Sequence, residues 1–367
     1  MKPAARGLSV GIVGASSLLG KELQAVLKER NFPVARLVTA ESDEAEFDMP
    51  VVDLREGFQP ALANENLEEE DFQVVFVAAP PRPSAKKLAS GRSPGFLDSA
   101  DRLAHAAHCT VIDMAEALAG QPGEVLRVPF LEPASPAARA TQPDRPAAFL
   151  ASAHPASILL STLILRLARR FTLSSAVAEV FACASEIGPQ AVDELQRQTT
   201  SLLSFQKIPQ AVFGRQLAFN LLPRFGRAKG TTLAGIEGRI HRQLNRILGE
   251  RAPSPAVRVF QAPVFHSLAV SLYVETQKAA SVEALEEALK GPRVTLARLR
   301  EPAPSQADSS GSSDIQVDAV ARDHTRSRGA WIWAVADNLR LAALNAIEIA
   351  EGAHPQARAS GAMNAKP

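Results

Sequence analysis

The sequence has little cysteine, few aromatic residues, no charge excess and no long apolar run. Two cysteines in 367 residues, Cys109 and Cys183, are too few for a disulfide framework or a structural zinc site. Aromatic residues make up 5% of the chain, so stacking platforms for single-stranded nucleic acid are not expected. Forty Lys and Arg against 39 Asp and Glu give a net charge of +1, whereas nucleic-acid-binding proteins carry a basic excess. We therefore expect no nucleic-acid partner and no metal centre.

No segment has the pattern of an export signal or a membrane span. The residues before Gly7 lack the apolar core of a signal peptide. The longest apolar run, residues 158–165, contains Ser161 and Thr162 and is far shorter than the roughly 20 residues that a spanning helix needs. These features predict a cytoplasmic protein with reduced thiols and no membrane partner.

The first half alternates short apolar runs with a helical pattern. Residues 18–27 have helical spacing, and strand-like apolar runs lie at residues 8–13, 34–38, 74–78 and 110–113. Strands that alternate with helices are typical of βαβ units and a parallel sheet, which predicts an α/β fold.

The second half has a different pattern, rich in strands. A stretch of Pro, Ala and Arg at residues 132–146 predicts a linker before it, and residues 302–314 predict a flexible loop by composition. Helical patterns cover residues 158–170, 189–203, 233–248, 281–290 and 338–351, and strand patterns cover 176–184, 257–261, 268–275, 294–299, 315–320 and 331–336. Clustered strands with few helices indicate an α+β domain with a mixed or antiparallel sheet covered on one face.

A glycine-containing turn between the first strand and the first helix is a candidate phosphate site. Gly14 would allow a tight turn, Gly20 would allow close packing, and the helix N-terminus would present free N–H groups to a pyrophosphate. Ser17 stands where the dinucleotide fingerprint has a middle glycine, and the alternative is that the glycines only shape the turn. The candidate cofactor-binding residues are Gly14, Ala15, Ser16, Ser17, Leu18, Leu19 and Gly20.

Glu41 follows the second predicted strand and is a candidate ribose ligand. An acid at about this spacing can accept a hydrogen bond from the ribose 2′-hydroxyl and would repel a 2′-phosphate. If a dinucleotide binds, this residue favours NAD over NADP. The alternative is an exposed acid in an acidic loop.

Several segments together resemble the aspartate-semialdehyde dehydrogenase family over nearly the full length. They are the N-terminal strand–turn–helix, residues 110–113 (TVID), 218–223 (AFNLLP), 263–265 (PVF), 273–275 (YVE), and 335–340 (VADNLR) with 343–345 (ALN). Residues 213–217 (FGRQL) are similar to a branch of that family that lacks the catalytic thiol.

The resemblance implies a domain organisation and a chemistry. It implies an NAD(P)-binding Rossmann-type domain at residues 1–147 closed by a C-terminal helix at 338–353, and a dimerisation domain at 148–337. Independently of the resemblance, residues 354–367 are predicted to form a flexible tail. The resemblance also implies Asn338 as a further cofactor contact and a homodimer. Members of the family reduce aspartyl phosphate through a Cys nucleophile, a His proton shuttle and an Arg that binds the substrate carboxylate.

The residues that carry this chemistry in the family are absent here. The family's Asn-Pro-x-Cys segment reads ASAHPASI at residues 151–158, and the chain has no cysteine between Cys109 and Cys183. Ala182 stands where the family has its active-site Gln, and Leu268 stands where it has the catalytic His. Gln261 replaces the carboxylate-binding Arg, Gln243 replaces the Glu partner of that Arg, and Ala119 replaces the phosphate-binding Arg. Arg239 stands where the family has a Lys that contacts phosphate, and on an Arg-rich helix it could also be simply solvated. Without a thiol there is no strong nucleophile to form the acyl-enzyme.

Two main functions remain open from the sequence. One is a non-catalytic family member with a dinucleotide-binding or assembly role, including a dinucleotide sensor or a partner of an active paralogue. The other is an active NAD(P)-dependent semialdehyde dehydrogenase that uses other residues. Its candidate substitutes are Cys183, Ser157, His154 and His266, each of which also has an ordinary structural interpretation as a core or surface residue.

Overall fold

A computed structural model of the chain describes residues 7–40, 50–53, 57–60, 72–79, 109–120, 123–132, 149–225, 232–298, 300–355 and 357. The chain forms two compact units. Unit 1 comprises residues 1–153 with 342–367, and unit 2 comprises residues 154–341.

Unit 1 contains a six-stranded sheet in which every pairing is parallel. Its strands lie in the order β2-β1-β5-β6-β8-β7. They are β1 (Leu8–Val13), β2 (Val34–Ala40), β5 (Val74–Val77), β6 (Thr110–Asp113), β7 (Val125–Arg127) and β8 (Leu150–Ser152), and β3 (Pro50–Asp53) pairs with β4 (Gly57–Pro60) in a separate hairpin. The α/β fold with a parallel sheet is therefore confirmed, as expected for strands that are apolar on both faces.

Two helices supply the apolar layer on one face of this sheet. Helix α1 (Leu18–Glu29) directs Leu23, Val26 and Leu27 into the core, at the spacing of one helical face. The last helix of the chain (Asn338–Ala353) adds Ile347 and its neighbours to the same cluster.

Unit 2 is built on a seven-stranded mixed sheet. Six strands follow the order β10-β9-β11-β15-β13-β12, and β14 pairs with β15. The strands are β9 (Leu173–Ala182), β10 (Ala256–Gln261), β11 (Leu268–Thr276), β12 (Val294–Leu296), β13 (Ile315–Val317), β14 (Ala321–Arg322) and β15 (Gly329–Ala336). The helices are α2 (Pro155–Ala168), α3 (Pro189–Leu203), α4 (Leu233–Leu248), α5 (Val282–Leu289) and the start of α6 (Asn338–Ala353).

The two faces of this second sheet differ. One face is covered: α2 packs on β9 and β11, and α4 packs on β10. On the other face aromatic residues alternate with the buried positions, and Val177, Tyr273 and Trp331 lie side by side across three strands. Val177 is 41% exposed and Trp331 is 39% exposed, so this face is open in the single chain.

Two segments predicted to be flexible make side-chain contacts with the rest of the fold. The loop at residues 302–314, expected to be flexible, is tied to the sheet, because Gln306 Nε2 donates to the backbone oxygen of Ser267 at 2.7 Å and Trp333 Nε1 donates to the oxygen of Pro304 at 2.9 Å. At the first residue of the predicted tail, His354 Nε2 lies 3.1 Å from Thr110 Oγ1. Most of the predicted linker, the rest of the tail and Glu41 lie outside the described residues.

Candidate functional site

The turn at residues 14–20 has the geometry that its glycines predict. Gly14 has a φ of +77°, and a Cβ there would lie 2.5 Å from the Cβ of Ala79. A Cβ on Gly20 would lie 2.3 Å from the carbonyl oxygen of Gly14. Neither position has room for a side chain, so both glycines are required by the close approach of α1 to the sheet.

Ser17 is the N-cap of α1 and leaves part of the first turn open. Its hydroxyl accepts a hydrogen bond from the Gly20 N–H at 3.0 Å, which satisfies one of the helix's free donors. The N–H groups of Leu18 and Leu19 have no acceptor within a helix of this geometry, and both residues are only half-buried. The turn therefore fits a phosphate, because these donors and the helix dipole favour a negative charge there.

Unit 2 brings the buried side chain of His154 into contact with the partly buried side chain of Glu186. His154 is 3% exposed and its Nε2 lies 2.7 Å from Glu186 Oε1. Burial by itself would raise the pKa of Glu186, but the neighbouring His154 and Arg239 and hydrogen bonds from His154 and Asn338 lower it below the ordinary value. Glu186 is therefore a carboxylate at neutral pH.

Both ring nitrogens of His154 are occupied. His154 is the N-cap of α2, and its Nδ1 accepts a hydrogen bond from the Ala156 N–H at 3.1 Å. Because Nδ1 accepts, the ring proton is on Nε2 and is donated to Glu186. No nitrogen remains to take the proton of Ser157, whose Oγ is buried without a hydrogen-bond partner among the described residues. The pair therefore does not form a nucleophile–base arrangement with Ser157.

Two glutamines make hydrogen bonds to the backbone at positions where the family has charged residues. Gln243 stands in place of the Glu, and Gln261 stands in place of the carboxylate-binding Arg. Gln243 Oε1 accepts a hydrogen bond from the His154 N–H at 2.7 Å. Gln261 Nε2 donates to the backbone oxygens of Ala182 at 3.0 Å and of Ala262 at 3.2 Å. Gln243 is 7% exposed and Gln261 is fully buried, so both side chains bind backbone groups in the interior of unit 2.

Cys183 does not have the environment of a nucleophilic thiol. It is fully buried directly after β9, and its Sγ lies 3.2 Å from Ser185 Oγ. Burial, and then the charge of Glu186, raises the pKa of this thiol to about 12. A reactive cysteine needs exposure and a lowered pKa, and Cys183 has neither. Cys109 is also buried, in the core of unit 1.

Three other residues singled out from the sequence, Asn338, His266 and Arg239, also lie in unit 2. Asn338 Oδ1 accepts hydrogen bonds from the Ser267 N–H at 3.1 Å and from Ser185 Oγ at 3.2 Å, so its side chain is used inside unit 2. His266 is half-buried in the turn before β11, and Arg239 lies half-buried on α4 with its charge near Glu186.

Glu186 is the residue of the candidate site that sequence reasoning missed. It follows β9 in a short 3-10 helix (Ala184–Glu186) and lies 32 residues from His154 in sequence. No local pattern connects the two positions, because the contact depends on the sheet that brings the ends of β9 and the start of α2 together.

Two kinds of feature are absent from the part of the chain that the structure describes. In those ranges, no cluster of His, Cys, Asp and Glu could hold a metal ion. Over the same residues, no helix has both the length and the apolar character needed to cross a bilayer.

Comparison with known proteins gives one consistent relationship. Residues 165–341 match the family model described as "Semialdehyde dehydrogenase, dimerisation domain". The chain is 31% identical to the "USG-1 protein homolog" of Pseudomonas aeruginosa, over 94% of this chain and 97% of that protein. It is 26% identical to the aspartate-semialdehyde dehydrogenase of Aquifex aeolicus, with the same shares of the two chains covered, 94% and 97%. The solved structure of aspartate-semialdehyde dehydrogenase II from Vibrio cholerae superposes with a TM-score of 0.76 at 24% identity, over 94% of this chain and 98% of that one.

Proposed function

Because the chain belongs to the aspartate-semialdehyde dehydrogenase family, we propose that it is a non-catalytic member that binds a dinucleotide and acts as a homodimer. Its role is then binding or assembly rather than the reduction of an acyl phosphate. The active-enzyme alternative requires a substitute nucleophile, and neither Cys183 nor Ser157 lies in an environment that would activate it.

The observation that carries this proposal is how the replaced positions are used. Gln243 and Gln261 hold backbone groups, and His154 has both ring nitrogens bonded. A catalytic site needs groups that can exchange protons with a substrate, whereas Gln243 and Gln261 carry amides that do not ionise and are hydrogen-bonded to the protein's own backbone. These hydrogen bonds to the backbone favour a structural use of what is a reactive site in the family.

The dinucleotide would be held at the turn of residues 14–20. The Leu18 and Leu19 N–H groups would contact the pyrophosphate, and Gly14 and Gly20 give the backbone its close approach. A bound nicotinamide dinucleotide would supply hydride-transfer chemistry, and in a non-catalytic protein its occupancy would act as a signal. Glu41, by its place in the sequence, leads us to propose NAD over NADP.

Calorimetric titration with NAD, NADP and their reduced forms tests this binding. We expect NAD to bind the wild-type chain, and the variant Ser16→Asp to lose that binding because an acid at the helix N-terminus repels a phosphate while leaving the helix stable. Lys28→Gln is the matched control: it makes the same charge change at the far, exposed end of α1 and should bind normally. Absence of any binding below millimolar would leave only the assembly role, and tighter binding of NADP would contradict the assignment of Glu41.

The dimer is proposed to form through the open face of the unit 2 sheet. The chain has two tryptophans and one tyrosine, and all three lie on this face, where Tyr273 and Trp331 are in contact with ring centroids 5.0 Å apart. Aromatic residues are enriched at interfaces because they bury a large area at low entropic cost. Arg258 and Glu179 are register partners on β10 and β9, so the face carries both charge signs and can pair with a second copy of itself.

Sedimentation equilibrium tests this interface. Trp331→Glu should reduce the measured mass from two chains to one, because it places a charge in the buried centre of the patch. Leu203→Glu is the matched control, since Leu203 is 70% exposed on α3 and lies off the sheet face. An unchanged mass for Trp331→Glu would refute this interface. A mixed dimer with a catalytic paralogue would use the same face, and co-purification of the two chains would reveal it.

A further inference from the structure

The segment that follows α3 in unit 2 exposes apolar side chains that the fold itself does not use. Of the large hydrophobic residues that are exposed in the described part of the chain, half lie at residues 203–221, namely Leu203, Phe205, Phe219 and Leu221. Phe205 is 99% exposed and Phe219 is 69% exposed, so neither ring is buried against its own chain. Single exposed apolar residues are common, but a group of them in one segment is typical of a binding surface.

The two exposed phenylalanines also have backbone conformations that disfavour their side chains. The φ angle is +54° at Phe205 and +60° at Phe219. Residues other than glycine seldom adopt a positive φ, and asparagine does so more readily than a bulky aromatic residue. Phenylalanine therefore contributes neither burial nor a favourable backbone at these two positions. Costs of this kind are found where a residue serves a binding role.

Buried side chains of α3 hold the same segment in one conformation. Glu194 is 4% exposed and accepts the backbone N–H groups of Val212 and Phe213 at 2.7 and 3.0 Å. Gln198 is fully buried, and its Oε1 accepts the N–H group of Leu217 at 2.6 Å. A segment anchored in this way presents its exposed side chains to a partner without the entropic cost of ordering a mobile loop.

The charges around these apolar residues are of one sign. No Asp or Glu occurs between Glu194 and Glu237, although the two acids account for 39 of the 367 residues of the chain. The same interval contains six basic residues, Arg197, Lys207, Arg215, Arg224, Arg227 and Lys229. Among them, Lys207, Arg215 and Arg224 are exposed in the structure. A local excess of this size in a chain of net charge +1 indicates an anionic partner.

We propose that residues 203–225 attach the protein to an anionic lipid surface. Phe205 and Phe219 enter the boundary between headgroups and acyl chains, and the exposed cations of the segment lie against lipid phosphates. Attachment of this kind needs projecting apolar side chains and cations, but no concave pocket shaped to one partner. Leu203 and Leu221 favour lipid over nucleic acid, because leucine offers no ring on which a base can stack. The expectation of no membrane partner came from the lack of an export or spanning segment, and attachment to a membrane surface requires neither.

Co-sedimentation of the full-length protein with lipid vesicles tests the proposal. We expect binding to vesicles of equal parts phosphatidylglycerol and phosphatidylcholine to be at least about tenfold stronger than to phosphatidylcholine alone, and to weaken as salt is raised. The double variant Phe205→Asn with Phe219→Asn should weaken binding to the anionic vesicles at least about tenfold, because both apolar anchors are removed. Its thermal melt should not fall below that of the wild type, because asparagine suits a positive φ better than phenylalanine does.

A charge variant with a matched control tests the electrostatic part. Lys207→Gln should weaken binding to the anionic vesicles about fivefold. Lys278→Gln makes the same charge change at another exposed lysine of unit 2, outside residues 195–236, and should bind as the wild type does.

Four results would overturn the inference, and each assigns the segment differently. Vesicle binding that is absent, or equal for both lipid mixtures, would leave an acidic protein as the partner. Binding to anionic vesicles that the double variant leaves unchanged would place the contact elsewhere on the chain. Tighter binding of a single-stranded DNA oligonucleotide than of the anionic vesicles would assign the segment to nucleic acid. A lower mass of the double variant in sedimentation equilibrium would show that a second copy of the chain covers the segment.

Discussion

Cys183 should be almost inert to alkylation in the folded protein. Burial raises the pKa of its thiol from 9.0 to about 12, a difference of three pH units. Because each pH unit is a factor of ten in thiolate, the folded chain carries about a thousandfold less thiolate at this position than an unperturbed cysteine. The thiolate is the reacting species, and the side chain is also fully buried, so both effects act in the same direction.

The assay is iodoacetamide labelling at pH 8, followed by mass spectrometry of the intact chain. The variant Cys109→Ser leaves Cys183 as the single thiol, and the same variant in guanidinium chloride supplies its unperturbed rate. We expect native labelling at least about a thousandfold slower than unfolded labelling, limited by local opening of the structure. Native labelling within tenfold of the unfolded rate would refute the reasoning and would restore Cys183 as a candidate nucleophile.

Three further predictions concern the glycine turn, a buried acid and the acid response. Gly20→Ala should destabilise the chain by about 1–3 kcal/mol in urea unfolding, because its Cβ has no room, whereas Gly352→Ala, in open space on α6, should be neutral or stabilising by about 0.5–1 kcal/mol. Glu194→Ala should cost about 3 kcal/mol in the same assay and expose residues 209–218 to proteolysis, since its carboxylate accepts two backbone N–H groups of that loop at 2.7 and 3.0 Å. The lowered pKa of Glu186 gives stability that is present above pH 4.5 and is lost as the pH falls through the lowered value, so thermal melts of the wild type and Glu186→Gln should converge on acidification.

Helix and strand positions followed from the sequence where local signals are strong. The helix Pro189–Leu203 begins at a proline, and Ser281 caps α5 by accepting from the Ala284 N–H at 3.2 Å, as its sequence position predicts. The strand Leu8–Val13 was predicted from a continuous apolar run, which is typical of a strand buried on both faces.

Other elements were not predictable from local patterns. The strands β7 and β8 have three residues each, too few to show a period of two, and they exist because their neighbours in the sheet pair with them. The loop at residues 302–314 has the composition of a flexible linker, yet half-buried hydrogen bonds from Gln306 to the backbone of Phe181 and Ser267 hold it in place. The composition of a segment indicates only its own conformational preference. It does not predict contacts with residues that are distant in sequence.

Sequence reasoning predicted which residues of the candidate site are replaced, but not what the replacements do. The absence of a thiol near residues 151–158 and the replacements at Gln243 and Gln261 are visible in the sequence through the family resemblance. What those residues do instead is a matter of tertiary contacts: Gln243 holds the backbone of His154, and the ring of His154 is bound to Glu186. Such use of a polar group in the interior depends on partners far apart along the chain.

Steady-state reduction of aspartyl phosphate, followed at the nicotinamide absorbance band, tests the central claim most directly. Purified protein at high concentration, with saturating NADH or NADPH, should give no cofactor oxidation above the enzyme-free background, while a thiol-bearing member of the family turns over in the same mixture. Sustained consumption of cofactor that scales with the amount of this protein, in either direction of the reaction, would contradict the account.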